Sequence, residues 1–149
     1  MSVQSSDRQV IPSGKSIDGY EVIELVGVGG FGGIYKVKKN HSDKIYALKT
    51  ESVNAKRQIL QYEIQILKEI KGHYFPKYIT SGVNDKYGIN YLIMSYFGVS
   101  IGEILSFHEY KLNITAVYNI ALKMLECIKA FHKFGFVHRD IKPNNFLIQ

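Results

Sequence analysis

Three runs in this 149-residue sequence combine residue types able to handle phosphate and protons. The first, Gly27-Val28-Gly29-Gly30-Phe31-Gly32, has the spacing G-x-G-x-x-G. Glycines let backbone N–H groups approach phosphate oxygens, although a tight hairpin needing positive φ would select the same residues. A dinucleotide-binding unit would set such a loop between a strand and a helix, with an acidic residue about 20 positions on. Here the alternating run Ile34 to Lys39 signals a second strand instead, so a glycine-rich hairpin closing over phosphates is the better functional reading, with a simple turn still open. The second run is Tyr46-Ala47-Leu48-Lys49, which presents a cation from a strand. A lone strand Lys is ordinarily just solvated, but Glu63 falls on the helix face of Ile59, Ile66 and Ile70. A carboxylate there costs free energy unless a cation meets it, and Lys49 is the candidate partner. The third run, His138-Arg139-Asp140-Ile141-Lys142-Pro143-Asn144-Asn145, fits H-R-D-x-x-x-x-N directly after a long helical pattern and its Gly135 stop. Four residue types at fixed spacing, following the glycine loop, the Lys and the Glu in that order, make chance a poor explanation.

The elements that must position these residues follow from periodicity. Residues 1–18 are Ser-rich, polar and aperiodic and read as a loose N-terminal extension. Period-two patterning predicts strands over Tyr20 to Val26, Ile34 to Lys39 and Lys44 to Glu51, three antiparallel strands in sequence. From Ser52 to Lys71 apolar residues recur at three- and four-residue steps, predicting a helix that stops at Gly72. Strand-like runs return between Tyr74 and Phe97 with a turn at Asn84 to Gly88, and Gly98 and Gly102 then break the pattern. A last helix is predicted over Thr115 to Phe134, with Val117, Ile120, Ala121, Met124, Leu125, Ile128 and Phe131 as its apolar stripe. Strands, helix, strands, then helices describe an α+β unit joined to a mainly helical one, with a seam near Ser95 to Gly98.

Composition narrows the function classes. With 46% hydrophobic and 21% charged residues, 13 Gly and 3 Pro, disorder and collagen-like order are excluded. The formal charge of +6 is spread along the chain, and no Lys/Arg block interleaved with aromatics points to nucleic acid. Cys127 stands alone inside an apolar helical pattern and reads as a small buried hydrophobe in a reducing compartment. The first nineteen residues have no signal-peptide core, no stretch approaches the roughly 18 apolar residues of a membrane span, and Ser2 excludes N-myristoylation. No membrane partner is expected, and the expected location is cytoplasmic, extending to the nucleus.

The three runs together resemble a protein kinase, over Tyr20 to Gln149. Gly29-Gly30-Phe31-Gly32-Gly33-Ile34-Tyr35, Ala47-Leu48-Lys49-Thr50-Glu51-Ser52 and Gly135-Phe136-Val137-His138-Arg139-Asp140-Ile141-Lys142-Pro143-Asn144-Asn145-Phe146 resemble the casein kinase I superfamily and, within it, the tau-tubulin kinase branch. The resemblance implies a protein-kinase-like fold: 19–97 as the small N-lobe of antiparallel sheet plus one helix, 98–149 as the hinge exit and first helices of the large lobe. It also implies ATP and Mg2+ as cofactors and transfer of the γ-phosphoryl group to Ser/Thr hydroxyls of protein substrates, cytoskeletal or acidic ones being expected. Val26, Ile34 and Ala47 would sandwich the adenine, Met94 would guard the back of the pocket, and the Ser95 and Phe97 backbones would read the adenine edge. Gly27, Gly29 and Gly32 would cover the phosphates and Lys49, oriented by Glu63, would hold two of them. Asp140 would take or orient the proton of the substrate hydroxyl, Lys142 would stabilise the transferring group, and Asn145 would bind magnesium, with His138 and Arg139 as scaffold.

The kinase plan continues with D-F-G, whose Asp binds magnesium, and with A-P-E, and neither follows Asn145 in the sequence. The expectation is therefore a fragment of an active serine/threonine kinase, inactive as 149 residues. A non-catalytic nucleotide-binding or regulatory half-kinase and a product without function stand as alternatives.

Overall fold

The structure, a computed structural model, describes residues 10–29 and 32–148. The chain divides into two compact units. One takes the described residues up to Lys68 together with Pro76–Tyr96, and the other takes Glu69–Phe75 and the described residues from Phe97 onward.

The first unit is built on a six-stranded sheet of β1 (Ser16–Ile17), β2 (Tyr20–Val28), β3 (Gly33–Lys39), β4 (Ile45–Ser52), β5 (Tyr78–Asn84) and β6 (Ile89–Ser95). Their spatial order is β1-β2-β3-β4-β6-β5, every neighbouring pair antiparallel. Because side chains alternate along a strand, the register stacks one face across strands. Val22 lies opposite Val37 and Val37 opposite Tyr46, while Tyr35 lies opposite Leu48 and Leu48 opposite Ile93. These residues form one buried cluster with Tyr20, Ile89 and Tyr91, and the Tyr20 and Tyr46 rings meet edge to face at 5.3 Å. The opposite face of β4 carries Ala47, Lys49 and Glu51 towards the helix α1 (Leu60–Glu69).

Two expectations need correction here. The loose extension expected through residue 18 is ordered over its described part: Ile11 and Ile17 are fully buried in the sheet core, and β1 pairs with the start of β2. Its residues 1–9 lie outside the described residues. Asp18 and Gly19 make the intervening turn with positive φ, and the Asp18 carboxylate accepts a hydrogen bond from the buried Tyr91 hydroxyl at 2.7 Å. Burial and that bond push the Tyr91 phenol up to about 12. Two isolated isoleucines among polar residues give no period, so only their distant partners reveal them. The second correction is to the helix expected from Ser52, which begins only at Leu60. Residues 53–59 form a loop held by Gln58, whose amide donates to the Ser52, Val53 and Ala55 carbonyls and accepts from Asn90. Ser52 also accepts from the Asn54 N–H, one of the local side-chain bonds that compete with helix initiation.

The second unit contains α2 (Ile101–Phe107), α3 (Ile114–His132) and a 3-10 turn at Pro143–Asn145. The break expected at Gly98 and Gly102 is present at Gly98, between β6 and α2, but Gly102 falls inside α2. Ser100 and Glu103 form a reciprocal capping box, with the Glu103 carboxylate accepting from the Ser100 N–H at 2.7 Å and its N–H donating to the Ser100 hydroxyl at 3.1 Å. Gly102 is tolerated inside this helix because the Asn144 side chain approaches so closely that a Cβ would sit 2.6 Å from its Oδ1. α3 starts on an Asn113 cap and its C-terminal turn is closed by Gly135 at φ 82°. None of its residues is buried, and Val117 and Leu125 of the expected stripe are exposed. Cys127 is half-buried, and burial pushes its thiol up, away from reactive thiolate character. Among the described residues no helix is long and apolar enough to cross a membrane.

Candidate active site

In the first unit the glycine loop closes the β2–β3 hairpin: Val28 lies opposite Gly33 and the Gly29 N–H donates to the Gly32 carbonyl at 2.8 Å. Gly30 and Phe31, at its tip, lie outside the described residues. The glycines differ in what they make room for. A Cβ on Gly32 would meet the Thr50 carbonyl oxygen at 1.9 Å, so this glycine is required by the close approach of the loop to β4. Among the described residues a Cβ on Gly27 would meet nothing nearer than the Ile34 Cβ at 3.9 Å, and one on Gly29 nothing nearer than the Gly32 carbonyl oxygen at 3.7 Å.

Lys49 and Glu63 come together. The Lys49 Nζ lies 2.7 and 2.6 Å from the two Glu63 carboxylate oxygens, with about a third of each side chain still exposed (33% and 40%). β4 places Lys49 and the first turn of α1 places Glu63, fourteen residues apart in sequence, so the pair exists only when helix and strand are packed. Ile34 lies opposite Lys49 and Ala47 opposite Met94 across neighbouring strands. Ala47 is buried, Ile34 and Met94 are half-buried, and Val26, at an irregularity in the β2 register, is 43% exposed. The Ser95 N–H is already donated to the Lys77 carbonyl at 2.9 Å. The chain leaves the first unit at Tyr96, and Phe97 is half-buried in the second.

In the second unit a relay of aromatic contacts carries the end of α3 to the H-R-D run. Phe131 packs against Phe75, Phe136 and His138, and His138 stacks on Phe146 at 6.5 Å with the rings 11° from parallel. The His138 Nδ1 accepts from the Asp140 N–H at 3.2 Å, which fixes the peptide before the carboxylate. Arg139 sits between them at φ 63°, an αL conformation rarely adopted by a long side chain and held here by its ordered neighbours. Asp140, Lys142 and Asn145 converge. The Lys142 Nζ is 2.9 Å from the Asp140 Oδ2, and the Asn145 Nδ2 donates to that same oxygen at 2.9 Å and to the Asp140 carbonyl at 2.7 Å. The bond from Lys142 and the second from Asn145 hold the Asp140 carboxyl below the usual carboxylate range. It is therefore ionised at neutral pH, with Oδ1 turned to no donor among the described residues.

In the first unit the Lys49 ammonium is a group of the kind that suits phosphate oxygens; in the second, with its Nδ2 engaged, Asn145 leaves an amide oxygen of the kind magnesium prefers. Among the described residues no group of three His, Cys, Asp or Glu side chains could hold a metal ion.

One residue carried no role in the sequence reading. Glu51 is 2% exposed, and its Oε1 accepts from the Ile59 and Leu60 N–H groups at the start of α1, 2.8 and 3.1 Å away. An acid two positions after Lys49, on the same face of a buried strand, was the available signal.

A sheet of this topology with one helix, followed by a capped helix, a long helix and the H-R-D turn, defines a protein-kinase-like fold. The PknI kinase domain of Mycobacterium tuberculosis has it: the structures superpose with a TM-score of 0.71 at 21% identity, over 94% of this chain and 59% of that one. Residues 20–149 match the protein kinase domain family, and the chain belongs to that family. It is 31% identical over 131 residues to a Dictyostelium discoideum protein named "Probable serine/threonine-protein kinase", and 32% identical over 131 residues to a "Probable casein kinase I homolog" of Encephalitozoon cuniculi. The matches take in 87% and 86% of this chain but 26% and 41% of those relatives, so the chain spans less than half the length of either.

Proposed function

We propose that the protein is an ATP-dependent serine/threonine protein kinase of the casein kinase I superfamily, nearest the tau-tubulin kinase branch, acting on protein hydroxyls. The observation that carries this reading is the convergence of Lys142 and Asn145 on one Asp140 carboxylate oxygen, with the other facing no donor among the described residues. Bound MgATP would supply the transferable phosphoryl group and the cation that neutralises its charge. Lys49, steadied by both oxygens of Glu63, has its ammonium directed for binding phosphate oxygens. The Asp140 oxygen that faces no donor among the described residues accepts the proton of a substrate hydroxyl as that hydroxyl's oxygen attacks, and Lys142, 2.9 Å from the other Asp140 oxygen, would offset the negative charge of the transferring phosphoryl group. Asn145 holds Asp140 in place with its amide N–H2 and keeps its oxygen for a cation. The family relatives support Ser/Thr specificity, and the +6 charge suits acidic protein segments such as those of cytoskeletal substrates.

The test is phosphate transfer from labelled ATP and magnesium by the protein as its own cells make it, to dephosphorylated casein and to tubulin, followed by phosphoamino-acid analysis. Phosphoserine or phosphothreonine that falls about 10²- to 10⁴-fold with Asp140→Asn is the expected result. Normal turnover by Asp140→Asn would overturn the base assignment, and phosphotyrosine would overturn the specificity. Tight ATP binding without transfer would leave a nucleotide-binding regulatory module as the function.

A further inference from the structure

Glu51 is among the most buried charged side chains described, yet its Oε2 has no hydrogen-bond partner among the described residues. An orphaned buried carboxylate oxygen is costly, and a merely space-filling role would be served better by an apolar side chain of the same size. What the charge does is visible on the other oxygen. Oε1 takes the N–H groups of Ile59 and Leu60, two of the donors that the first turn of α1 cannot satisfy within the helix. Lys49 and Glu51 sit two residues apart on one face of β4, so the strand holds α1 at two points: at its N-terminus through Glu51 and about one turn further on through Lys49 and Glu63. Gln58 fastens the intervening loop to the β4 end and to Asn90 of β6.

We propose that Glu51 is a positioning residue, which clamps the N-terminus of α1 to β4 and so sets the Glu63 carboxylate at the distance where it orients Lys49. The role assigned to Lys49 rests on the kinase reading; the clamp itself does not. A helix tethered only by the half-exposed Lys49–Glu63 pair could pivot about that contact, whereas a second, buried anchor one turn away fixes both its rotation and its rise along the strand.

The test measures the rate at which the Lys49 amine is modified by acetic anhydride, read by mass spectrometry with Lys38 of β3 as internal reference, in a double-mutant cycle with Glu63. In the unsubstituted background Glu63→Gln should speed Lys49 labelling about ten-fold by releasing the ammonium; with Glu51→Ala or Glu51→Asp it should add less than about two-fold, because the pair is already displaced. The same two Glu51 variants should exchange the Ile59 and Leu60 amide hydrogens about 10- to 100-fold faster. Glu51→Gln, which keeps a carbonyl acceptor at Oε1, should restore slow labelling and slow exchange. If Glu51→Ala does not fold, Glu51→Asp, which keeps the charge but withdraws it by one methylene, decides in both assays. Unchanged exchange, or a Glu63→Gln effect equally large in every background, would overturn the proposal. Titration with ADP and magnesium separates the two readings: failure of the unsubstituted protein to bind ADP removes the kinase assignment, while the labelling cycle still decides the clamp.

Discussion

Glu63→Gln separates a catalytic from a structural use of the Lys49 pair. The Lys49 Nζ sits 2.6 and 2.7 Å from the two oxygens, where two unit charges at an effective dielectric near 20 attract by about 6 kcal/mol. Both side chains keep about a third of their surface in water, at 33% and 40%, and exposed pairs measured against their desolvation and entropy yield only about 0.2–1 kcal/mol. Gln is isosteric and retains one acceptor for Lys49, so the folding cost is set at about 1 kcal/mol or less, a fall in Tm of at most about 4–8 °C for a unit of this size. The effect on phosphate transfer is larger, since a misplacement of about 1 Å in a group that orients phosphate costs about 10²-fold in rate, or about 2.7 kcal/mol. The assay pairs initial rates of phosphate transfer at saturating ATP with urea unfolding of the same preparation. A rate loss that merely tracks the loss of stability, or one within about three-fold of the unsubstituted protein, would refute the reasoning and leave Glu63 as a packing residue.

Further predictions follow from the glycines and from one cap. Gly32→Ala drives a Cβ to 1.9 Å from a backbone oxygen and should cost about 1–3 kcal/mol in urea unfolding, whereas Gly29→Ala meets only an ordinary contact at 3.7 Å among the described residues and should leave folding within about 0.5 kcal/mol while weakening ATP binding by titration calorimetry. Gly102→Ala, pressing on Asn144 at 2.6 Å, should displace the turn that carries Asn145 and lower phosphate transfer more than it lowers the α2 signal in hydrogen exchange. Glu103 is held below the ordinary glutamate range by the Ser100 N–H and then its hydroxyl, so its support for α2 is complete above the unfolded value near 4.3 and is lost as pH falls through the folded one. Amide protection at the start of α2 should therefore be flat from pH 7 to about 5 and drop below about 4; a drop near pH 6 would point to a different group.

The chemistry was legible because it lies in short runs. The glycine loop, Lys49 and the H-R-D segment each carry their identity within eight residues, and the strands β2, β3 and β4 announce themselves by a period of two. Glu63 was legible by contradiction, as a charge on an apolar helix face that needed a cation. Ile11 and Ile17 were hidden because nothing near them in sequence is their partner: their burial is supplied by strands arriving up to eighty residues later. α2 was masked by two glycines, although Ser100 and Glu103 spelled its start; Gly102 is acceptable only because Asn144 comes to occupy the place of its side chain. Glu51 shows the division most clearly. Residue types, spacing and period identify which groups can act on phosphate, since those follow from covalent chemistry and local geometry. Which oxygen of Asp140 faces no donor among the described residues, and that a buried carboxylate on β4 ties down the helix bearing Glu63, are settled by contacts between segments that are local in space and remote along the chain, and only the folded arrangement supplies them.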